Sequence, residues 1–362
     1  MMRPRFDLPD LAGVISADEV RSSAATIAAL QHPSGMIPWF TGGHCDPWNH
    51  VETAMALDVA GLHTEAEHAY RWLAATQLPT GAWHNYYVID PDHRVSVKDH
   101  KFDSNTIAYL ATGLWHHQLA TGDTTFLAEM FPVLQRAMDF VLALQTPRGE
   151  IIWARHHDGT PWSYALLTGS SSICHALRCA CAIAERLDDV QPEWELAAVN
   201  LARVIRHVPD AFEPKTRWAM DWYYPVLSGA LTPRQARRRL AGSWSTFVMD
   251  GLGVCCVSDE PWVTAAETAE CALAHVIIGE RDIARELLAC TRLHRIDDGS
   301  YLTGIVYPGE ITFPDQERSA YSAAAVILAA DAWCRATPAS CALLDEDLPT
   351  VIEIADIVDE KD

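Results

Sequence analysis

A short turn recurs along this chain and limits what it can fold into. It reads QHPSGMIPW from Gln31, QLPTGAW from Gln77 and QTPRGEIIW from Gln145. The shared pattern is Q-x-P-x-G followed by an aromatic. Each copy closes an Ala/Leu-rich run of helical period, and a second helical run follows after a loop. Proline stops the preceding helix, while glycine accepts the positive φ that turns the chain back. The repeated unit is therefore a helical hairpin, which buries its apolar stripe only against its neighbours.

Helical periodicity covers about 16–30, 48–61, 64–76, 103–119, 124–145, 166–187, 192–207, 222–230, 233–248, 261–278, 281–293 and 317–335, with little strand pattern. Asp46-Pro47 and Asp103-Ser104 place an acid at a helix start, and Glu260-Pro261 puts proline near a first turn. The starts after the turns read DPWNHVETA, KFDSNTIAY and PWSYALLTG. A degraded fourth unit keeps Trp218 and DWYYPVLSG, a fifth keeps DEPWVTAAE, and a sixth has Asp298-Gly299, Tyr301 and FPDQERSAY. Six hairpins predict an all-α fold, an (α/α)6 barrel over residues 1–340, followed by a short acidic C-terminal tail over 341–362. A short strand at 350–354 is compatible with that tail. A helical solenoid or two separate bundles are the competing architectures.

With 49% hydrophobic residues the chain can bury a sizeable core. Its net charge of -21 argues against a nucleic-acid partner, because phosphate binding needs clustered Lys and Arg. The one basic cluster, RQARRR at 234–239, reads as the solvated face of a short helix. No apolar run approaches the roughly 18–20 residues of a membrane helix, and MMRPRFDLPD has no signal-peptide core. A soluble, cytoplasmic protein is expected. Ten cysteines without a CxxC pair, several of them in helical runs, read as buried reduced thiols. No metal or other cofactor is expected, and the oligomeric state is not legible.

The starts of the inner helices share a chemistry. HCDPWNH, DHKFDSN, PWSY, MDWYY, SDEPW and TFPDQE interleave aromatics with carboxylates, Asn and His. Sugar rings stack their C–H faces on Trp or Tyr and hydrogen-bond through hydroxyls to Asp, Asn and His. An oligo- or polysaccharide is the expected partner. Trp and Asp at helix starts are also ordinary caps and packing residues, so recurrence carries this reading. Glycoside hydrolysis uses two carboxyl groups, of which the acid needs a raised pKa. Glu260, flanked by Trp262 and the apolar GLGVCCV run, is the expected acid, and Asp46 its partner. Asn49 shares Asp46's helix face and can orient a hydroxyl or a water. Candidate substrate-binding residues are Asn49, Asp103, Trp48, His44, Trp83, Tyr86, His100, Asp221, Trp222, Tyr223 and Trp262.

The Q-x-x-x-G-x-W spacing at 77–83 resembles the repeat of terpene cyclases and protein prenyltransferases, but D-x-D-D, D-D-x-x-D and a zinc set are missing. GGHCDPWNHVETAMALDVAGL with SDEPWVTAAETAECAL resembles actinobacterial proteins often labelled prenyltransferase-like. One mycobacterial group among them consists of endo-acting α-mannosidases. That resemblance implies metal-independent, inverting hydrolysis of α-(1→4)-linked, partly 3-O-methylated mannan, with carboxylates at Asp46 and Glu260. The alternatives are a sugar epimerase or isomerase using a His pair, for which His44, His50, His84 and His100 are available, a non-catalytic polysaccharide binder, and a terpenoid enzyme.

Overall fold

The computed structural model describes residues 6–352. Helices alternate between two kinds. One kind is amphipathic and half-exposed: α1 (Ala17–Leu30), α3 (His63–Thr76), α6 (Thr124–Leu142), α8 (Pro192–His207), α10 (Pro233–Phe247) and α12 (Arg281–Cys290). The other is buried on nearly every side: α2 (Pro47–Val59), α5 (Leu110–Thr121), α7 (Leu167–Arg186), α9 (Ala219–Leu227), α11 (Ala265–Ile277) and α13 (Ala320–Cys334). A helix apolar all round belongs inside, and a striped one outside. Contacts among the buried helices run α2, α5, α7, α9, α11, α13 and back to α2, a closed cycle. Each outer helix packs against one or more of them. A short α4 (Ser104–Ala108) precedes α5, and α14 (Ser340–Leu343) follows α13.

The recurring turn now has a physical account. Gln31 Nε2 donates to the Gly35 carbonyl (3.1 Å) and to Glu65 of α3 (2.9 Å). Gln77 Nε2 reaches Gly81 (3.0 Å) and Val133 of α6 (2.9 Å), and Gln145 Nε2 reaches Gly149 (2.9 Å) and Ala197 of α8 (3.0 Å). Each glutamine therefore closes its own turn and clips it to the next outer helix. The turn glycines have positive φ, and a Cβ on Gly81 would collide with the carbonyl of Arg136 on α6. The same geometry closes the cycle, since Gly299 sits against Ser22 of α1. G81A is expected to lower unfolding free energy by about 2–4 kcal/mol, from the left-handed backbone and the clash together. Denaturant midpoints of the two proteins check this.

Little strand was expected outside the tail, yet short strands edge the starts of the inner helices. They are β1 (His44–Cys45), β2 (Tyr86–Ile89), β3 (Val95–Asp99), β4 (Phe102–Asp103), β5 (Ala154–Arg155), β6 (Val248–Met249), β7 (Gly253–Val254), β8 (Trp262–Thr264), β9 (Gly304–Val306) and β10 (Ile311–Thr312). They pair antiparallel as β1-β2-β3, β10-β9-β8, β4-β5 and β6-β7. The helix expected from 261 begins only at Ala265, because Trp262–Thr264 pair with Gly304–Val306. β-branched Val263 and Thr264 suit that strand. The helix expected over 103–119 is split at Tyr109.

Asp46 and Asp103 cap α2 and α4, as their positions before Pro47 and Ser104 predicted. All ten cysteines are unpaired. Among the described residues no helix is long and apolar enough to cross a membrane, and no His/Cys/Asp/Glu group could hold a metal ion. Of the expected acidic tail, 341–352 lie against the helices. His175 Nε2 donates to Ala342 (2.8 Å), Arg178 Nε donates to Pro349 (2.8 Å), and Arg178 pairs with Asp345. Residues 350–352 form no strand, and 353–362 lie outside the described residues.

Candidate active site

Strands β1 and β4 deliver the chain to α2 and α4, so two capped helix starts face one groove. It holds about 270 Å³ and is lined by Asp46, Trp48, Asn49, Tyr86 and Asp103 among the expected residues. Asp46 is its most closely held carboxylate. Its Oδ2 accepts from Trp39 Nε1 (2.6 Å) and Asn49 Nδ2 (2.7 Å), and its Oδ1 accepts from the Asn49 amide (2.9 Å). Burial raises its pKa and the three donors oppose that rise. Asn49 Oδ1 and Asn105 Oδ1 are buried without a protein partner, and both residues line the groove. Unsatisfied acceptors of this kind suit a ligand rich in hydroxyl donors.

The floor is aromatic. Trp48 stacks on Tyr109 (4.4 Å, 24°) and meets Tyr321 edge-on (5.5 Å). Trp39 and Tyr86 flank the His44 ring at 4.6 and 4.4 Å, and burial pushes that imidazole's pKa down. Asp103 accepts from the Asn105 amide (3.0 Å), and burial pushes its pKa up to about 6 against the opposing charge of Lys101.

Several expected residues lie elsewhere. Glu260 is exposed on the turn before β8 and lines no described cavity, so the burial expected for it is not there. Neighbouring Asp259 pairs with Arg217 (2.9 Å). Trp262 is half-buried on the same rim, its Nε1 donating to Phe313 (3.2 Å). Asp221 stands behind the groove, accepting from Thr168 Oγ1 (2.6 Å). Trp83, Trp222 and Tyr223 belong to the core and not to the groove. Trp83 Nε1 seals the end of α3 through Leu73 (2.8 Å), and Trp222 stacks on Phe247 (5.5 Å). His100 lies on a neighbouring pocket, with its ring 4.9 Å from that of His84. His50 spends both ring nitrogens on backbone groups of Ile37 and Ala69.

Sequence reasoning missed what lies beneath the floor. Glu270 accepts from Tyr223, from Tyr224 Oη (2.7 Å) and from Tyr321 Oη (2.9 Å), and Glu52 accepts from Tyr109 Oη (3.1 Å). Both carboxyls are buried around a cavity of about 50 Å³. Burial pushes Glu270 up to about 7, and burial with the nearby Glu270 charge raises Glu52 well above the carboxylate range. Acids on helices with no polar face were the available signal.

An aromatic floor, a cradled carboxylate and orphaned amide oxygens are the furniture of a carbohydrate-active enzyme. The comparisons agree. A glycosidase structure in complex with glucose superposes with a TM-score of 0.69 at 14% identity, covering 87% of this chain and 95% of its own. A D-mannose isomerase structure superposes with a TM-score of 0.63 at 12% identity, covering 91% and 99%. These likenesses concern the fold alone. No family model matches the chain. The MMP endo-(1,4)-3-O-methyl-alpha-D-mannosidase of Mycolicibacterium hassiacum is 48% identical over 354 residues, 98% of this chain and 97% of its own length. The chain belongs to that family of glycoside hydrolases.

Proposed function

We propose that the chain hydrolyses α-(1→4)-linked, 3-O-methylated mannan at internal bonds, with inversion, on an (α/α)6 barrel. The closed cycle of inner-helix contacts supports the barrel. The name of the 48%-identical relative supports the substrate. The observation that carries the site is the Asp46 cradle in the lining of a groove rich in aromatic side chains. Ten unpaired cysteines fit a reducing compartment such as the cytoplasm.

In this reading Asp46 is the general base. Its carboxylate takes a proton from the water that attacks the anomeric carbon. Glu260 is the acid and gives its proton to the departing glycosidic oxygen. Its side chain is exposed on the turn before β8, so a polysaccharide covering it must supply the burial that keeps an acid protonated. Inversion needs about 6.5–9.5 Å between the carboxyls, which leaves room for the water. Asn49 fixes Asp46 and, through its unpartnered oxygen, a substrate hydroxyl. Asp103 binds substrate beside Lys101.

Product sizes over time test the endo reading. A methylated mannan incubated with the protein is expected to give mid-length fragments first. Release of monosaccharide from the outset, with the polymer otherwise full length, would sink it.

A further inference from the structure

A second pocket adjoins the groove and carries no role in the reaction described. It holds about 470 Å³ between the end of β3 and the segment after β5, and Lys98, Asp99, Lys101, His156, His157 and Trp162 line it together with His100. Lys101 also lines the groove, so the two spaces are neighbours. Trp153, a groove residue, meets Trp162 edge-on at 4.7 Å, which extends the aromatic surface from one space into the other.

The two spaces differ in their unmet hydrogen-bonding needs. The groove's orphaned atoms are acceptors, Asn49 Oδ1 and Asn105 Oδ1. The pocket is rich in donors. Lys98 and Lys101 carry only N–H groups, and Trp162 Nε1 is buried with no protein partner, while His100, His156 and His157 can donate or accept. The one carboxylate there is engaged, since Asp99 accepts from Asn85 Nδ2 (2.8 Å) and from the Lys101 amide (3.1 Å). A sugar hydroxyl brings a proton that needs an acceptor. A methyl ether brings only acceptor lone pairs and an apolar methyl group, which the two ammonium groups, the unpartnered indole N–H and the tryptophan wall can take up. His156 covers one face of Trp162 (5.0 Å, 17°) and helps to hold that wall in place.

We infer that this pocket is a distal subsite for an O-methylated hexose residue, and that Trp162 and Lys98 make the enzyme prefer methylated over unmethylated chain. The inference rests on the mannan reading above. Its test is affinity and not cleavage, so the two fail separately. Matched α-(1→4)-mannooligosaccharides, with and without 3-O-methyl groups and long enough to span both spaces, are titrated calorimetrically into D46N, D46N/W162A and D46N/K98M. The methylated ligand is expected to bind D46N more tightly, and each second substitution to shrink that preference, W162A by about tenfold. K98M keeps the side-chain stem and removes the donors, so its effect does not depend on how the chain tolerates loss of the indole. Equal weakening of both ligands, no weakening of either, or no preference in D46N overturns the subsite. Cleavage by the unsubstituted enzyme, scored apart, decides the mannan reading.

Discussion

D46N should lose about a thousandfold in turnover on a methylated α-(1→4)-mannan while staying folded, at a cost of about 1–3 kcal/mol in stability. Loss of a positioned acid or base typically costs a hundred- to ten-thousandfold. The structural cost is bounded. Asparagine is as good an N-cap as aspartate, so its one amide oxygen can keep the bond from the Asn49 amide and α2 its first turn. Asn49, whose Oδ1 has no partner, can rotate to accept from the new amide. Trp39 Nε1 then loses its acceptor, which accounts for the stability cost. E260Q, exposed and outside the packed core, should keep its melting temperature and lose at least a hundredfold in turnover. D103N should raise KM more than it lowers kcat, as befits a binding residue. Near-normal turnover in D46N removes the base from this scheme. Near-normal turnover in E260Q with collapse in D103N moves the acid to Asp103.

The second large effect lies under the groove. E270L removes the acceptor shared by three buried phenols and should destabilise the protein by about 3–6 kcal/mol, because stranded buried donors each cost about 1–3 kcal/mol. Tyr224 and Tyr321 line the groove, so activity should fall as well. E270Q keeps an oxygen acceptor and separates charge from contact. The folded-state pKa of Glu270 is raised from 4.5 to about 7, so the folded protein holds this proton more tightly than the unfolded chain. Its contribution is full below about 4.5 and lost as pH rises through about 7. The loss is about 3 kcal/mol at roughly 1.4 kcal/mol per pH unit. Parallel denaturation of parent and E270Q at several pH values should show a shallower decline in the variant. Identical pH profiles would mean that Glu270 does not hold the proton.

The helical hairpins were legible because proline and glycine act locally. Q-x-P-x-G marks an end wherever it stands, and three copies set the unit. The glutamine's purpose was not legible, since its partners lie on the next outer helix, 34 to 56 residues away. The strands escaped because most span only two or three residues, and three of the six pairings join segments more than about 40 residues apart. Within the site, Asp46 and Asp103 were found because helix caps are local features. Trp222 and Tyr223 were chosen where Tyr224 lines the groove. On a short helix containing Pro225, an error of one residue turns a side chain by about 100°. Trp83 follows the same turn as Trp39 and Trp153, yet only those two reach the groove. The departure of the chain from each turn decides that, and the turn sequence does not encode it.

The most direct measurement is the anomeric configuration of the first reducing ends, read by proton NMR within minutes of adding enzyme to a 3-O-methylated α-(1→4)-mannan. With Asp46 activating water and Glu260 protonating the leaving oxygen in one displacement, β-anomers should appear first and mutarotate to α. Nascent α-anomers would contradict the account, because retention requires a carboxylate that attacks the sugar and not the water.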